Sequence, residues 1–465
     1  MTRDYSSAVL LTELEQLAER ARAFMAKSRG VADDVELWLC GTLQHGFMFH
    51  DHRLIPMRTI RSERAGLRVL ARGRMGRAGV SSFDMGDWTT ALDGAMAKLG
   101  PEGPVNGFTR PTMRRPAPFT FDADLADALA DEAMMKHLAF ALCDNAHHEA
   151  ARTPGLERLS GGVVYTVQTR VVATSKGTVF ALHGDLDARL RFNGMYSELF
   201  HQVHLPDSFL PLAMLGARAW LNMPSARVQL PRHITGRQVP VLLHPRLMEL
   251  LLRRVGEPML STTATECGAS PLLPGAMVAD RNITLADDST LDGLATSRAF
   301  DDEGTPTRRI PVILKGRLTQ TLVTYQEAAA RGVTPTGNGY RRSQGGQGVE
   351  HVEVSPRLGC LVMDPGTLGL NEMLSTVPEG LLVYEVAGFD LIDPKTSKFQ
   401  AIIASAVTLG ANGGMIPPGR HRITGHLFRV PGISEGVLST CQLSRELYDT
   451  GGAILPYCLT MMEVS

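Results

Sequence analysis

Fourteen histidines, six cysteines and a run of three acids are the residues of this 465-residue chain best suited to hold a metal or activate a nucleophile. His50-Asp51-His52 falls in an apparent strand, where alternation sends both imidazoles to one face as a usable metal pair. The simpler reading is two surface imidazoles on a sheet. His147-His148-Glu149 stands near the end of a long helical pattern, where histidine suits the negative end of the helix dipole. His201-x-x-His204 falls in an apparent turn and reads as surface. None of the three has a third ligand at a telling spacing. The cysteines, Cys40, Cys143, Cys267, Cys360, Cys441 and Cys458, lack CxxC spacing. That argues for reduced thiols in a cytoplasm and against a zinc ribbon or a disulfide scaffold. No GxSxG elbow supports a Ser-His-Asp triad.

Three longer stretches have more specific chemistry. "SRAFDDEGTPTRR" places Asp301, Asp302 and Glu303 in a turn before a hairpin. They either bind a cation or cap backbone amides and pair with Arg298, Arg308 and Arg309. The glycine-rich loop 337–348 opens with Gly337, Asn338 and Gly339. It lacks the GK[ST] of a P-loop and the strand–GxGxxG–helix context of a dinucleotide fold, so a mobile loop over a groove is expected instead. "HPRLMELLLRRVGEP", 244–258, reads as a short helix with a histidine and proline at its start. Leu247, Met248, Leu251, Leu252 and Val255 form one apolar stripe along it.

These residues must be positioned by the elements around them. Leu10, Leu11, Leu14, Leu17, Ala21, Phe24 and Met25 recur at helical spacing, and Gly30 ends the run. Extended segments follow, with a hairpin turning near Gly73. Asp84 or Asp87 caps a helix running to Gly100. The five-proline stretch 101–119 reads as a linker. A long helix from about Asp122 to Ala151 precedes two strands, a helix around 208–222 and a second connection at 223–240. The remainder is mostly short strands, the clearest being a hairpin around Lys315-Gly316, then a short helix closed by Gly332. The expected division is 1–115, 116–232 and 233–465.

A net charge of -1 leaves no electrostatic footprint for nucleic acid or an anionic membrane. No apolar run reaches the roughly 18 residues needed to span a bilayer. The amphipathic N-terminus carries acids through its apolar part, unlike a signal peptide. A cytoplasmic protein binding neither nucleic acid nor membrane is expected.

Four motifs in order resemble the TldD/PmbA family, once named modulators of DNA gyrase. They are "SERAGLRVLARGRMGRAGVSS", "SKGTVFALHGDLDARLRFNGMYS", "RAFDDEGTPTRRIPVILKGRLTQTLVTYQEAAARGVTPTGNG" and "EGLLVYEVAGFDLIDPKTSKF". The resemblance implies an α+β fold. It comprises an N-terminal α/β domain, a middle α/β segment of a long helix plus antiparallel strands, and a β-rich C-terminal domain. It also implies a two-part system. TldD-type subunits carry zinc on an HExxxH helix plus a C-terminal cysteine. TldE/PmbA-type subunits share the fold without the zinc helix and pair with them to act on peptides or peptide-like substrates.

Laid on that frame, the first histidine falls on Leu252, the glutamate on Arg253 and the second histidine on Glu257. No HExxxH occurs anywhere in the chain. Leucine offers zinc no lone pair, Arg253 stays protonated and cannot act as a base, and Glu257 cannot replace two imidazoles. His244, about two turns upstream, sits at the helix start and cannot stand in. Cys441 lies close to where zinc subunits keep their cysteine ligand. It is a candidate residual site, though a buried free thiol is the simpler reading. The expectation is a TldE/PmbA-type subunit with no metal or cofactor of its own, paired with an HExxxH-bearing zinc subunit. The substrate- or partner-facing candidates are Asp301, Asp302, Glu303, Gly337, Asn338 and Gly339. The alternatives are a biosynthetic enzyme subunit with a repurposed site and a homodimeric peptide-binding protein.

Overall fold

The structure is a computed structural model that describes residues 5–100, 107–151, 158–192, 196–205, 228–342, 348–410 and 413–465. Helix α1 (Ser7–Lys27) buries Leu10, Leu14, Leu17, Ala18, Ala21, Phe24 and Met25. Leu11, expected in that stripe, faces solvent. Strands β1 (Asp34–His50), β2 (Arg53–Ala71) and β3 (Arg74–Val80) form a meander. Arg72 and Gly73 both take positive φ at its second turn, as the hairpin pattern predicts. Helix α2 (Met85–Ala97) starts at Asp84, whose carboxylate accepts from Gly86 N.

The long helix expected from Asp122 is two, α3 (Ala123–Ala130) and α4 (Glu132–Ala150). Asp131 breaks it, with ψ 114, and its carboxylate takes the Ala133 amide. An acid that caps a new helix competes with continuing the old one. The region 107–119 is not a free linker, since Thr112 N and Arg114 N donate to Gly304 O and Ala299 O. The helix expected around 208–222 lies outside the described residues.

Strands β4 (Leu159–Thr174), β5 (Gly177–Phe192) and β6 (Tyr196–Gln202) do not build a separate middle domain. They continue the first sheet, order β3-β2-β1-β4-β5-β6, antiparallel throughout. Segments 1–115 and 116–232 therefore share one layer, a correction to the expected division. Alternation sorts its faces. Leu37, Leu39, Leu67, Val163, Val167, Val171 and Leu186 pack with the four helices in one core. Glu36, Trp38, Arg68, Arg170, His183 and Asp185 point to the other face, toward the C-terminal half.

That half is a ten-stranded sheet. Its strands are β7 (Arg237–Leu243), β8 (Leu285–Asp288), β9 (Arg309–Leu314), β10 (Arg317–Leu318), β13 (Leu361–Met363), β14 (Gly380–Asp393), β15 (Lys398–Leu409), β16 (Arg422–His426), β17 (Gln442–Asp449) and β18 (Ala453–Val464). A separate ribbon pairs β11 (Gly339–Tyr340) with β12 (Ser355–Pro356). Because β7 bonds both β14 and β18, the strands β18-β16-β15-β14-β7 close into a ring. Helix α5 (Pro245–Leu251) leaves β7 and packs over β18 and β14. The hairpin at Lys315-Gly316 and helix α6 (Tyr325–Arg331), closed by Gly332 at φ 66, form as predicted.

The two sheets meet at the acidic turn. Asp301, Asp302 and Glu303 are 1%, 3% and 0% exposed, so they are not on a substrate- or partner-facing surface. Glu303 accepts from Arg68 at 3.0 Å, and Arg68 also bonds Glu36, Nε to Oε1 at 2.8 Å. Asp302 accepts from Arg170 at 2.6 Å, and Arg341 bonds Glu36 at 3.2 Å. Of the two sequence-based readings, the amide-capping one holds, but the arginine partners come from the other sheet rather than from Arg298, Arg308 or Arg309.

Gly337, Asn338 and Gly339 are buried in the same joint, not in an open loop. Gly339 N donates to Asp301 Oδ2 at 2.9 Å, and Arg341 N to Asp302 Oδ2 at 2.7 Å. Gly337 has φ +76, and a Cβ there would lie 2.5 Å from Pro306 O. A Cβ on Gly339 would lie 2.5 Å from Glu303 Oε2. The carboxylates of the acidic turn and the amides of the glycine loop interlock at close range, which is why each needs its residue types. Residues 343–347 of the glycine loop lie outside the described residues.

Candidate functional site

The helix that opens at His244 is the natural place to look for chemistry. His244 is its N-cap, with Pro245 next, the expected helix start. The imidazole is 2% exposed and ringed by Tyr384, Tyr448 and Tyr457. Burial, helped by Arg246, holds it well below the ordinary imidazole value, so it is a neutral, enclosed cap.

Beyond Leu251 the helix changes winding. Residues Leu252–Gly256 form a π turn, with Glu257 N bonded to Leu252 O. This matters for an HExxxH frame. In an α-helix at 3.6 residues per turn, positions five apart are about 140° out of phase. The i→i+5 pairing of a π turn stacks them instead. The backbone that would bring 252 and 257 to one side is therefore present.

The side chains on it form a clamp rather than a metal site. Leu252 is 0% exposed, inside the C-terminal core. Arg253 Nε bonds Glu249 at 2.7 Å, and its two Nη atoms reach Leu358 O and Gly359 O at 2.8 Å and Gly452 O at 3.0 Å. Glu257, 2% exposed, accepts from Arg357 at 2.9 Å, Arg342 at 3.2 Å and Leu358 N at 2.9 Å. Both peptide groups of Leu358 are thus held, the N–H by Glu257 and the C=O by Arg253. No lone pair remains on Glu257 for a cation without breaking an arginine pair.

Cys441 does not supply a reactive thiol either. It is 7% exposed and ends the helical turn Val437–Thr440. It packs against Cys458, whose thiol is pushed well up by burial and by its contact with Cys441. All six cysteines are free.

Asp287, beside this clamp, was not singled out by sequence. Its Oδ2 accepts from Gly359 N at 2.9 Å and from Asn338 Nδ2. Its Oδ1 has no partner among the described residues. Burial raises its pKa from 3.8 to about 6, against Gly359 N and Arg253. The folded chain therefore holds this proton more tightly than the unfolded one. Its contribution is full below 3.8 and is lost as pH climbs through 6. Asp287→Asn keeps the accepting oxygen and removes the charge. We expect its melting temperature to gain on that of the wild type between pH 4 and 6.5. The gain should be on the order of 2–3 kcal/mol by neutral pH. Parallel melting-versus-pH curves for the two proteins would contradict this.

The histidine groups scatter. His50 ends β1, but Asp51 and His52 make the turn to β2, with Asp51 at φ 49, so the two imidazoles do not share a strand face. His52 instead stacks on His147, ring centroids 3.5 Å apart. His204 stacks on Phe119 at 4.2 Å. His201, read as surface, is not: its side chain is 4% exposed and bonds Asp187 at 2.9 Å.

Comparison with known proteins fits this geometry. Residues 235–463 match the family described as PmbA/TldA metallopeptidase C-terminal domain, spanning the whole C-terminal sheet. Its C-terminal half therefore carries the PmbA/TldD-type C-terminal domain. A metalloprotease TldD homologue of Buchnera aphidicola is 29% identical over 144 residues, 31% of this chain and 28% of that protein. The chain thus aligns with little more than a quarter of that curated relative's length. TldE from Thermococcus kodakarensis superimposes with a TM-score of 0.73 at 18% identity, covering 97% of this chain and 99% of that one. A Thermotoga maritima protein described as a putative modulator of a DNA gyrase gives 0.73 at 18%, covering 96% and 99%. The full-length likeness fixes the PmbA/TldD fold, including the N-terminal sheet outside the matched domain. Among the described residues, no helix is long and apolar enough to cross a membrane.

Proposed function

We propose that this chain is the TldE/PmbA-type subunit of a two-component peptidase. It would pair with a separate HExxxH-bearing zinc subunit and help enclose a peptide or peptide-like substrate in the cytoplasm. The observation that supports this most directly is the filled helix: π-wound where a zinc pair would stand, yet occupied by Leu252, Arg253 and Glu257. A guanidinium cannot act as a general base, and Glu257 is paired with two arginines. The chain keeps the shape of the site without its base or ligands, and on this reading the zinc sits in the partner.

With the acidic turn and the glycine loop spent on the joint, substrate holding falls to a strand edge. Beyond Glu385 the outer edge of β14 pairs with no strand among the described residues. An extended peptide can add there through backbone hydrogen bonds.

The test is to purify the chain alone and together with its HExxxH-bearing neighbour. We expect a one-to-one complex that cleaves short peptides and no cleavage by this chain alone. Peptide cleavage by the isolated chain, or no association with any HExxxH-bearing chain, would overturn the reading.

A further inference from the structure

The face of the first sheet that meets the C-terminal half carries a second group of polar residues, apart from the acidic-turn joint. His183, Asp185 and Asp187 alternate along β5 and so share that face. Register places His201 of β6 directly opposite Asp187. Donor atoms of Asp185, Asp187 and His201 all lie within 4.8 Å of one another. One imidazole and two carboxylates are a mixed donor set for a divalent first-row ion.

Several observations indicate that this group awaits a ligand. His201 Nε2 is buried and makes no hydrogen bond among the described residues. His183, outside the trio, has a side chain 4% exposed, and its Nδ1 makes no hydrogen bond among the described residues. Its Nε2 lies 3.4 Å from Asp185 Oδ1, turned into the group. Buried imidazole nitrogens left without hydrogen bonds, His201 Nε2 and His183 Nδ1, are costly unless something binds them.

The surroundings favour a cation. Asp449 faces His201 from the C-terminal half, with Glu249 behind it. Gly451 closes the group from above: a Cβ there would lie 3.6 Å from His201 Cγ. The Asp187 side chain is 45% exposed, which gives an entry path from solvent.

We infer that Asp185, Asp187 and His201 form a divalent-cation site at the seam between the two sheets, in a place distinct from the π-wound helix. Only the Gly451-Gly452 turn separates this site from Arg253, which bonds Gly452 O at 3.0 Å.

The test uses the full chain, stripped of metal and titrated with Mn²⁺ while the spectrum of free Mn²⁺ is followed by electron paramagnetic resonance. One ion per chain is expected. Asp187→Asn and His201→Gln should each weaken binding by about 10- to 100-fold. Glu257→Gln and Cys441→Ser should leave it unchanged. Asp187 is half-exposed and Asp187→Asn is isosteric, so a metal-free melt matching the wild type will show that this variant folds. Absence of Mn²⁺ binding overturns the inference. So does binding that Asp187→Asn leaves intact, or binding lost only with Glu257→Gln or Cys441→Ser.

Discussion

Replacing Arg68 with alanine will cost about 3–5 kcal/mol, the usual penalty for removing one partner of a buried ion pair. Arg68 is 3% exposed and lies between Glu36 and Glu303, both 0% exposed. Burial alone would lower its pKa, but the two glutamates more than reverse that and hold it above the ordinary guanidinium value. Without it, among the described residues, Glu303 keeps only the Tyr325 amide and Glu36 only Arg341. Glu36 belongs to the first sheet and Glu303 to the C-terminal half, so the damage falls on their union. Calorimetry should show the wild type's single transition split in two in Arg68→Ala. The double variant Arg68→Met/Glu303→Gln should regain most of the loss, because it leaves no unpaired charge while Glu36 still pairs with Arg341. An Arg68→Ala melt within a degree or two of the wild type would refute this role.

Arg253→Ala is expected to cost about 3 kcal/mol. The side chain is only 15% exposed and satisfies Glu249 and three backbone carbonyls at once. Those carbonyls come from two separate segments, 358–359 and 452, which the guanidinium ties to the helix. Arg253→Lys should recover less than half, because one ammonium cannot reproduce the planar fork. Urea unfolding of the three proteins measures this. If lysine restores full stability, the geometric argument fails.

Sequence legibility followed the range of the interaction. The turns at Gly73 and Gly316, the Asp84 cap and the helix closed by Gly332 rest on neighbours in the chain, and all were readable. The Asp131 break was local too, but an aspartate inside an apolar period gives no hint that it will cap a new helix. The acidic turn was misplaced because its partners are remote: Glu303 and Arg68 are 235 residues apart, Asp302 and Arg170 132. No spacing rule reaches that far. Glu36 interrupts the apolar run 35–39 and Arg68 the run 66–71, and that interruption was the available signal for a buried charged seam. Asp185 and Asp187 alternate legibly, but their link to His201 needs the β5–β6 register. The sharing of one sheet by the first two segments is likewise a matter of strand order, which hydrophobic pattern does not encode. The helix at 244–258 was the most readable part of the candidate site. That it carries no HExxxH follows from letters alone, and only its winding required the structure.

That winding outlasts the letters. The bond from Glu257 N to Leu252 O is made by main-chain atoms and is indifferent to the side chains at either end. It is a dial setting that substitution does not turn. A chain of this fold can therefore exchange metal chemistry for an ionic clamp, or the reverse, by point changes at positions 252, 253 and 257 and the groups facing them, without rethreading a helix. On the proposed reading, a catalytic and a silent subunit of one scaffold would differ by a few codons.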